Sequence, residues 1–209
     1  MKTTFVRIQQ QTIFILTMVL TLTTSLFISG CDDDDPVKED VPELITKVTL
    51  TFTPSGGGSP VVVTATDPDG EGIQDIVADY PITLTAATSY DMSITLANTL
   101  AQPSDPAYDI TEEVEEEGDE HMFFFSWTNN VFSNPAGDGN IDNRADAVNY
   151  EDEDANGLPL GLHTSWTTAE ASSGNFRVIL KHQPDLKSET SDSSIGETDL
   201  DLTFTVIVN

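Results

Sequence analysis

The sequence predicts an all-β fold, an antiparallel β-sandwich of immunoglobulin-like shape with long acidic loops. Three observations lead to this fold class. Apolar and polar residues alternate with a period of two through much of residues 47–208, as expected of half-buried strands. The alternating segments are rich in Thr, Val, Ile and Phe, which favour a pleated surface. Turn signals such as 54–60 separate short strands at the spacing typical of a sandwich.

Each strand is predicted from its own alternation. In the first, Val48, Leu50 and Phe52 share one face, and in the last, five apolar residues from Leu200 to Val208 share one face. One short helix is expected from Ile110 to Glu117, since the seven acidic residues in 112–120 disfavour a longer one. The predicted strands are 47–53, 61–66, 82–84, 90–97, 121–127, 161–168, 176–182 and 199–208.

The N-terminus has the order of a secretory signal peptide. Lys2 and Arg7 precede an uncharged run at 12–28, and small residues then lead to Cys31, the one cysteine of the sequence. Ile28-Ser29-Gly30-Cys31 resembles the lipobox of bacterial lipoproteins, in which the signal is cut before the cysteine and the cysteine is acylated. Two alternatives stay open. One is a transmembrane anchor, although the run is shorter than the roughly 20 residues that a span needs. The other is cleavage elsewhere, which leaves a free thiol.

These signals divide the chain into three parts: a signal peptide at 1–30, a lipidated cysteine with an acidic tether at 31–43, and a single domain at 44–209. Like charges at Asp32–Asp35 and two prolines predict an extended tether. Acidic residues after the cysteine resemble the surface-export signal of Bacteroidota lipoproteins; the alternative is a solvated spacer. We expect an outer-membrane lipoprotein, at the cell surface or on the periplasmic face.

The charge of the chain restricts its partners. There are 36 Asp and Glu residues against 8 Lys and Arg, a formal net charge of −28. Such a surface repels nucleic acid and anionic lipid, because binding to either relies on basic side chains. The expected link to the membrane is therefore the lipid anchor. The same charge suits high solubility and the binding of divalent cations.

Three acidic loops resemble parts of calcium-binding loops, in which closely spaced Asp, Asn and carbonyl oxygens surround the ion. None has the bidentate Glu at its twelfth position or the flanking helices of an EF-hand, so plain solvated turns remain an alternative. The calcium candidates are Asp67, Asp69, Glu71 and Asp75 in the first loop, Asp138, Asn140, Asp142 and Asp146 in the second, and Asp152, Asp154 and Asn156 in the third.

The three histidines, together with Glu120, are candidates for a transition-metal site. His121 opens a strand directly after Glu120, on the same face as Phe123. His163 lies near the start of the predicted strand 161–168, and His182 ends the predicted strand 176–182. Imidazole combined with carboxylate is a suitable ligand set for zinc or copper. The sequence has no close histidine pair, so only the fold could bring these residues together. Polar caps of strands are the alternative interpretation.

Four segments, 110–125, 166–174, 178–184 and 199–204, are similar to a family of small flavobacterial lipoproteins of the cell surface or periplasm. The resemblance implies an association with TonB-dependent outer-membrane receptors. Members of that family carry the name "type 1 periplasmic binding fold superfamily". The name implies two α/β lobes with crossover helices, whereas the periodicity of this chain predicts β-structure.

No catalytic motif stands out: GxSxG, Walker and GxGxxG patterns are all missing from the sequence. We therefore expect a non-enzymatic, lipid-anchored binding accessory that handles a metal or metal complex beside a TonB-dependent receptor. Two alternatives remain open, a structural or adhesive immunoglobulin-like surface domain and a carbohydrate-active enzyme. Histidines and carboxylates gathered at one place would favour metal binding, and a featureless sandwich would favour adhesion.

Overall fold

The computed structural model describes residues 43–70 and 74–209. The predicted signal peptide, Cys31, the tether up to residue 42 and Glu71 lie outside the described residues. The regular elements are β1 (Lys47–Pro54), β2 (Val61–Thr66), β3 (Val77–Ala78), β4 (Ile82–Leu84), β5 (Ser89–Ala97), α1 (Ile110–Glu116), β6 (His121–Trp127), β7 (Phe132–Asn134), β8 (His163–Thr168), β9 (Ser172–His182) and β10 (Glu197–Val208), with a 3₁₀ turn at Pro106–Tyr108.

The predicted all-β class is confirmed. Eight of the ten strands in the described residues were expected from the alternation, and the short strands β3 and β7 were not. They have two and three residues, which is too short to show a period. The short helix is also confirmed: Asp109 caps it by accepting a hydrogen bond from the Glu112 amide, and its buried residues are Ile110 and Val114.

The strands form two sheets. The six-stranded sheet has the order β3-β2-β1-β5-β8-β7, and the four-stranded sheet has the order β4-β10-β9-β6. All pairings are antiparallel except that of β4 with β10, which is parallel and joins Ile82–Leu84 to the end of the chain. That parallel pair was not expected from the sequence.

Side chains from both sheets belong to one hydrophobic core. Trp166 of β8, in the six-stranded sheet, lies edge-on to Trp127 and Phe176 of the four-stranded sheet, with ring centroids 5.3 and 5.1 Å apart. Aromatic pairs in this geometry stabilise a core beyond the area that they bury. A smaller cluster of Met122, Phe124, Ile141 and Ile179 buries the opposite face of β6 and β9.

The free edge of β6 is covered by an irregular segment around Gly139. The Asn140 amide donates to the Phe125 carbonyl, and the Asn140 side chain accepts from the Phe125 amide. These hydrogen bonds satisfy edge groups that would otherwise pair with another chain. Gly139 has a φ of +102°, and a Cβ atom there would lie 2.0 Å from the Phe125 carbonyl oxygen.

We expect Gly139→Ala to lower the free energy of unfolding by about 3 kcal/mol or more, because it adds a backbone clash to an unfavourable φ. Gly137→Ala is the matched control: Gly137 has a similar φ of +106° but nothing within 4 Å of an added Cβ. That variant should lose only about 1–2 kcal/mol, the cost of the conformation alone. Urea denaturation measures both, and equal losses would contradict the close approach at Gly139.

Candidate metal centre

Two histidines from different parts of the chain stack where β6 begins and β9 ends. His121 and His182 are direct partners in the antiparallel register of these strands. Their rings are 4.6 Å apart and only 5° from parallel. Both lie on the faces that bury Phe123 and Leu180, because the period-two alternation of each strand continues to its end. Both histidines are buried.

A β-bulge brings Asp199 to the same place. The register of β10 against β9 shifts between Thr198 and Leu200, so Asp199 is the extra residue of the bulge. A bulge re-aims a side chain that strict alternation would direct to the other face. The Asp199 carboxylate is fully buried, and its Oδ2 atom lies 3.8 Å from Nε2 of His121.

The fourth member comes from the segment that precedes β1. Glu43 Oε1 lies 3.0 Å from His121 Nε2, and the Glu43 side chain is 4 % exposed. The Glu43 carbonyl accepts a hydrogen bond from the Ile45 amide, which turns the chain towards β1. Glu43, His121, His182 and Asp199 each offer a ligand atom within 4.8 Å of the others. We call these four residues the inner group.

The inner group contains buried polar atoms without hydrogen-bond partners outside the group. Oε2 of Glu43, Nε2 of His121 and both carboxylate oxygens of Asp199 have no hydrogen-bond partner outside the inner group, and they face one another. A buried polar atom that lacks a partner costs about 1–3 kcal/mol. The meeting of these atoms at one place favours a group able to engage them all.

The hydrogen bonding of His121 prepares its Nε2 atom for a metal. Nδ1 lies 3.2 Å from the carbonyl oxygen of Glu117, which can only accept, so Nδ1 carries a proton. Nε2 lies 3.0 Å from Oε1 of Glu43; it donates to that oxygen when it carries a proton and offers a lone pair there when it does not. Metal-binding histidines commonly donate their other ring N–H to a backbone carbonyl, which fixes the tautomer and orients the ring.

The two carboxylates of the inner group titrate differently. Burial and the neighbouring Glu43 charge raise the pKa of Asp199 to about 7. Burial also opposes the ionisation of Glu43, but the hydrogen bond and the charge of His121 outweigh it and lower the pKa of Glu43. The metal-free site therefore combines an ionised Glu43 with a protonated Asp199 below neutral pH.

A second set of potential ligands lies beside the first. Glu117, Glu120 and His182 have ligand atoms within 4.8 Å of one another. His182 Nε2 lies 3.2 Å from Oε2 of Glu120, whose side chain is 39 % exposed. We call these three residues the outer group. His182 belongs to both groups.

The structure brings together three of the four residues that the sequence suggested for a transition metal. His121 and His182 stack in the inner group, and Glu120 contacts His182. His163 is exposed, pairs with Ser93 in the six-stranded sheet, and belongs to neither group. Glu43, Asp199 and Glu117 were missed. Glu43 was placed at the end of the tether, and the alternation of β10 gives no sign of its bulge.

In the first loop, two calcium candidates accept hydrogen bonds from backbone amides of the same loop. Asp67 accepts from the amides of Asp69 and Gly70, and Asp69 accepts from the Gln74 amide. Asp75 is exposed, and Glu71 lies outside the described residues. These hydrogen bonds are typical of an acidic turn.

In the second loop, Asn140 has a structural role, since its amide group bridges the Phe125 backbone and the Tyr150 hydroxyl. Asp138 and Asp142 are exposed, and Asp146 accepts from Asn143. None of the acidic candidates in this loop belongs to the inner or the outer group.

In the third loop, Asp152 accepts from the amides of Gly161 and His163, and Asn156 is exposed. Asp154 is buried with Lys187, 2.8 Å away. Burial opposes the ionisation of Asp154, but hydrogen bonds from Lys187 and two backbone amides lower its pKa. Calcium binding by these three loops stays a prediction, and no calcium candidate belongs to either group of potential ligands found in residues 43–70 and 74–209.

Comparisons of the chain with protein-family models, curated proteins and solved structures found no match. The α-helix of the described residues has seven residues, and none of the helical segments there has the length and apolar character of a membrane span. The chemistry of the inner group is therefore inferred from its own geometry: two imidazoles and two carboxylates, largely buried, with polar atoms facing one another.

The raised pKa of Asp199 predicts a pH-dependent stability of the metal-free protein. Between the ordinary value of 3.8 and about 7, the unfolded chain loses the Asp199 proton while the folded chain keeps it. Stability from this group is thus present at low pH and falls as the pH rises to about 7. Asp199→Asn removes the group, so the variant should gain stability relative to wild type between pH 4.5 and 7.5, measured by denaturation in the presence of a chelator.

Asp201→Asn is the matched control two residues along β10. The hydrogen bond from Arg177 lowers the pKa of Asp201, so this carboxylate stabilises the fold above its ordinary pKa. Asp201→Asn should therefore lose stability relative to wild type as the pH rises. Parallel pH profiles for wild type and Asp199→Asn would contradict the burial of a protonated carboxyl.

Proposed function

We propose that this protein is a metal-binding accessory outside the cytoplasm, and that the inner group holds one divalent transition metal ion such as zinc. Two imidazole nitrogens and two carboxylate oxygens are a suitable four-coordinate ligand set for zinc. The acidic surface of the chain, at a net charge of −28, raises the local concentration of cations. The role is binding rather than catalysis.

The observation that carries this proposal is the set of buried polar atoms that have no partner outside the inner group. Asp199 has a fully buried side chain, and its oxygens have no hydrogen-bond partner beyond the other members of the group. His121 directs Nε2 into the same space, because its Nδ1 lies 3.2 Å from the Glu117 carbonyl oxygen. A divalent cation would engage all of these atoms at once and would displace the Asp199 proton.

The finer architecture supports a protein with a site at one end. We propose that the two sheets form a sandwich of immunoglobulin-like shape, because side chains of both sheets meet in one core. The inner group lies at the end of that core, where β6 begins, β9 ends and β10 starts. Rigid strands hold three of its four side chains, which favours a preformed site.

The location is proposed from the N-terminal signals. Lipidation of Cys31 and the acidic tether would hold the domain on the outer membrane, at the surface or on the periplasmic face. Several acyl chains bind a soluble domain firmly to a bilayer, since each buried methylene contributes about 0.8 kcal/mol. A TonB-dependent receptor is the proposed neighbour, on the basis of the family resemblance.

Metal binding is better supported than the two alternative functions. An adhesive domain needs no buried cluster of histidines and carboxylates. A carbohydrate-active enzyme needs exposed aromatic side chains along a cleft, whereas Trp127 and Trp166 are 2 % and 1 % exposed and belong to the core. Tyr90 is buried as well. Among the described residues, the aromatic side chains mainly build the interior, and Tyr80 is an exposed exception.

The full-length protein in detergent should bind one zinc ion per chain, and zinc should raise its melting temperature. Ligand at 100 times its dissociation constant stabilises a fold by about 2.7 kcal/mol. Asp199→Asn should weaken zinc binding by about tenfold or more, because the amide replaces an anionic ligand. Calorimetric titration and elemental analysis measure the affinity and the stoichiometry.

His163→Ala is the matched control, since it removes an exposed histidine outside both groups. It should bind zinc as wild type does. The proposed function is wrong if wild type binds no zinc, or if Asp199→Asn and His163→Ala bind it equally well. Because Asp199→Asn is expected to stabilise the metal-free fold at neutral pH, lost binding would not reflect unfolding.

Anchoring has its own test. Cys31→Ser should release the protein from membranes or block its processing, because acylation needs the thiol. Fractionation of cells with immunoblotting measures this. A processed Cys31→Ser protein that stayed on the membrane would contradict lipidation at Cys31.

A further inference from the structure

The side chains that would coordinate a metal ion at the inner group are almost completely buried. The side chains of His121 and Asp199 are fully buried, and those of Glu43 and His182 are 4 % and 5 % exposed. A hydrated cation must shed its water before it reaches them. An ion that enters such a site needs intermediate ligands to replace that water, because the cost of an uncompensated charge in the interior is high.

The outer group provides such ligands on one side of the inner group. Glu120 is partly exposed, at 39 % of its side chain, and its Oε2 atom lies 3.2 Å from His182. Glu117 is the C-cap residue of α1, and its backbone carbonyl oxygen lies 3.2 Å from His121 Nδ1. The outer group therefore joins the inner group at two points, this contact and the shared His182. Exposure falls from Glu120 to His182 to Asp199.

We propose that the outer group is a loading position for the metal ion, from which His182 passes the ion to the inner group. This inference rests on the proposed function and deepens it by assigning a route. The ion first binds Glu117, Glu120 and His182 at the surface. It then exchanges the two glutamate oxygens for His121, Glu43 and Asp199, while His182 remains a ligand.

The two positions share a histidine, which favours use in sequence over simultaneous occupancy. One neutral imidazole has a single free lone pair, and binding two cations at once would require the loss of its remaining proton. A loading position changes the rates of entry and release together, because it lies on the path and not at its end. A residue that coordinates the ion in its final position would change the affinity instead.

Stopped-flow mixing of the full-length protein with zinc, read by a fluorescent zinc indicator, measures association, and mixing of the zinc-loaded protein with a chelator measures dissociation. Glu120→Gln should slow both by about tenfold, the lower end of what a charged entrance contributes, and leave the dissociation constant nearly unchanged. Glu116→Gln is the matched control: it removes the same charge from an exposed position of α1 outside both groups. Its rates should stay close to those of wild type.

Three results would overturn the loading position. Equal rates for Glu120→Gln and Glu116→Gln would mean that only net charge matters. A weaker affinity of Glu120→Gln with unchanged association would make Glu120 a residue that merely orients His182. Two zinc ions bound per wild-type chain would mean that both groups are filled together. In each case wild type still binds zinc, whereas a wild type that binds none would reject the proposed function as well.

Discussion

The structure at one end of the core depends on the interaction of two buried carboxylates with two imidazoles. Glu43, Asp199, His121 and His182 arrive from four separate segments, and their polar atoms face one another with little access to water. In the metal-free protein, Asp199 retains a proton, which relieves the repulsion between the two carboxylates; its raised pKa indicates this. A divalent cation would relieve it more completely, because it attracts both carboxylates and accepts the imidazole lone pair.

This arrangement also links the N-terminal segment to the sheet. Glu43 is the last residue of the proposed tether and precedes β1, while its carboxylate contacts the first residue of β6. A metal ion bound by the inner group would fix the start of the domain to three strands of the four-stranded sheet. Binding at this point would thus stabilise the start of the described domain against the four-stranded sheet.

Period-two alternation predicted the β-class and most strands, because half-buried strands leave that pattern in a single sequence. The same alternation placed His121 on the core face, which the structure confirms. It could not find Asp199, because a bulge depends on how β10 pairs with β9 and leaves no mark in the order of residues. Glu43 was also missed, since its partner is 78 positions away in the chain.

The candidate metal centre could be predicted from the sequence only as a list of residue types. His121, His182 and Glu120 were candidates. His163 was a candidate as well, but it lies in the six-stranded sheet, apart from the other three. The pairing of β6 with β9 decides which histidines meet, and that pairing is a property of the whole fold. The acidic loops show the opposite problem, because their spacing suggested calcium sites whereas their carboxylates interact with protein groups. Asp152 and Asp154 have the right spacing, but their oxygens accept hydrogen bonds from their own loop and from Lys187.

X-ray absorption spectroscopy of the zinc-loaded, full-length protein tests the central claim most directly, because it reports the atoms around the ion. The account predicts one zinc ion with nitrogen and oxygen neighbours at about 2.0–2.2 Å, and the multiple scattering of two imidazole rings. Asp199→Asn should alter the oxygen contribution and leave the imidazole signal. A zinc ion without imidazole ligands, or a protein that retains no zinc, would contradict a metal centre built from His121, His182, Glu43 and Asp199.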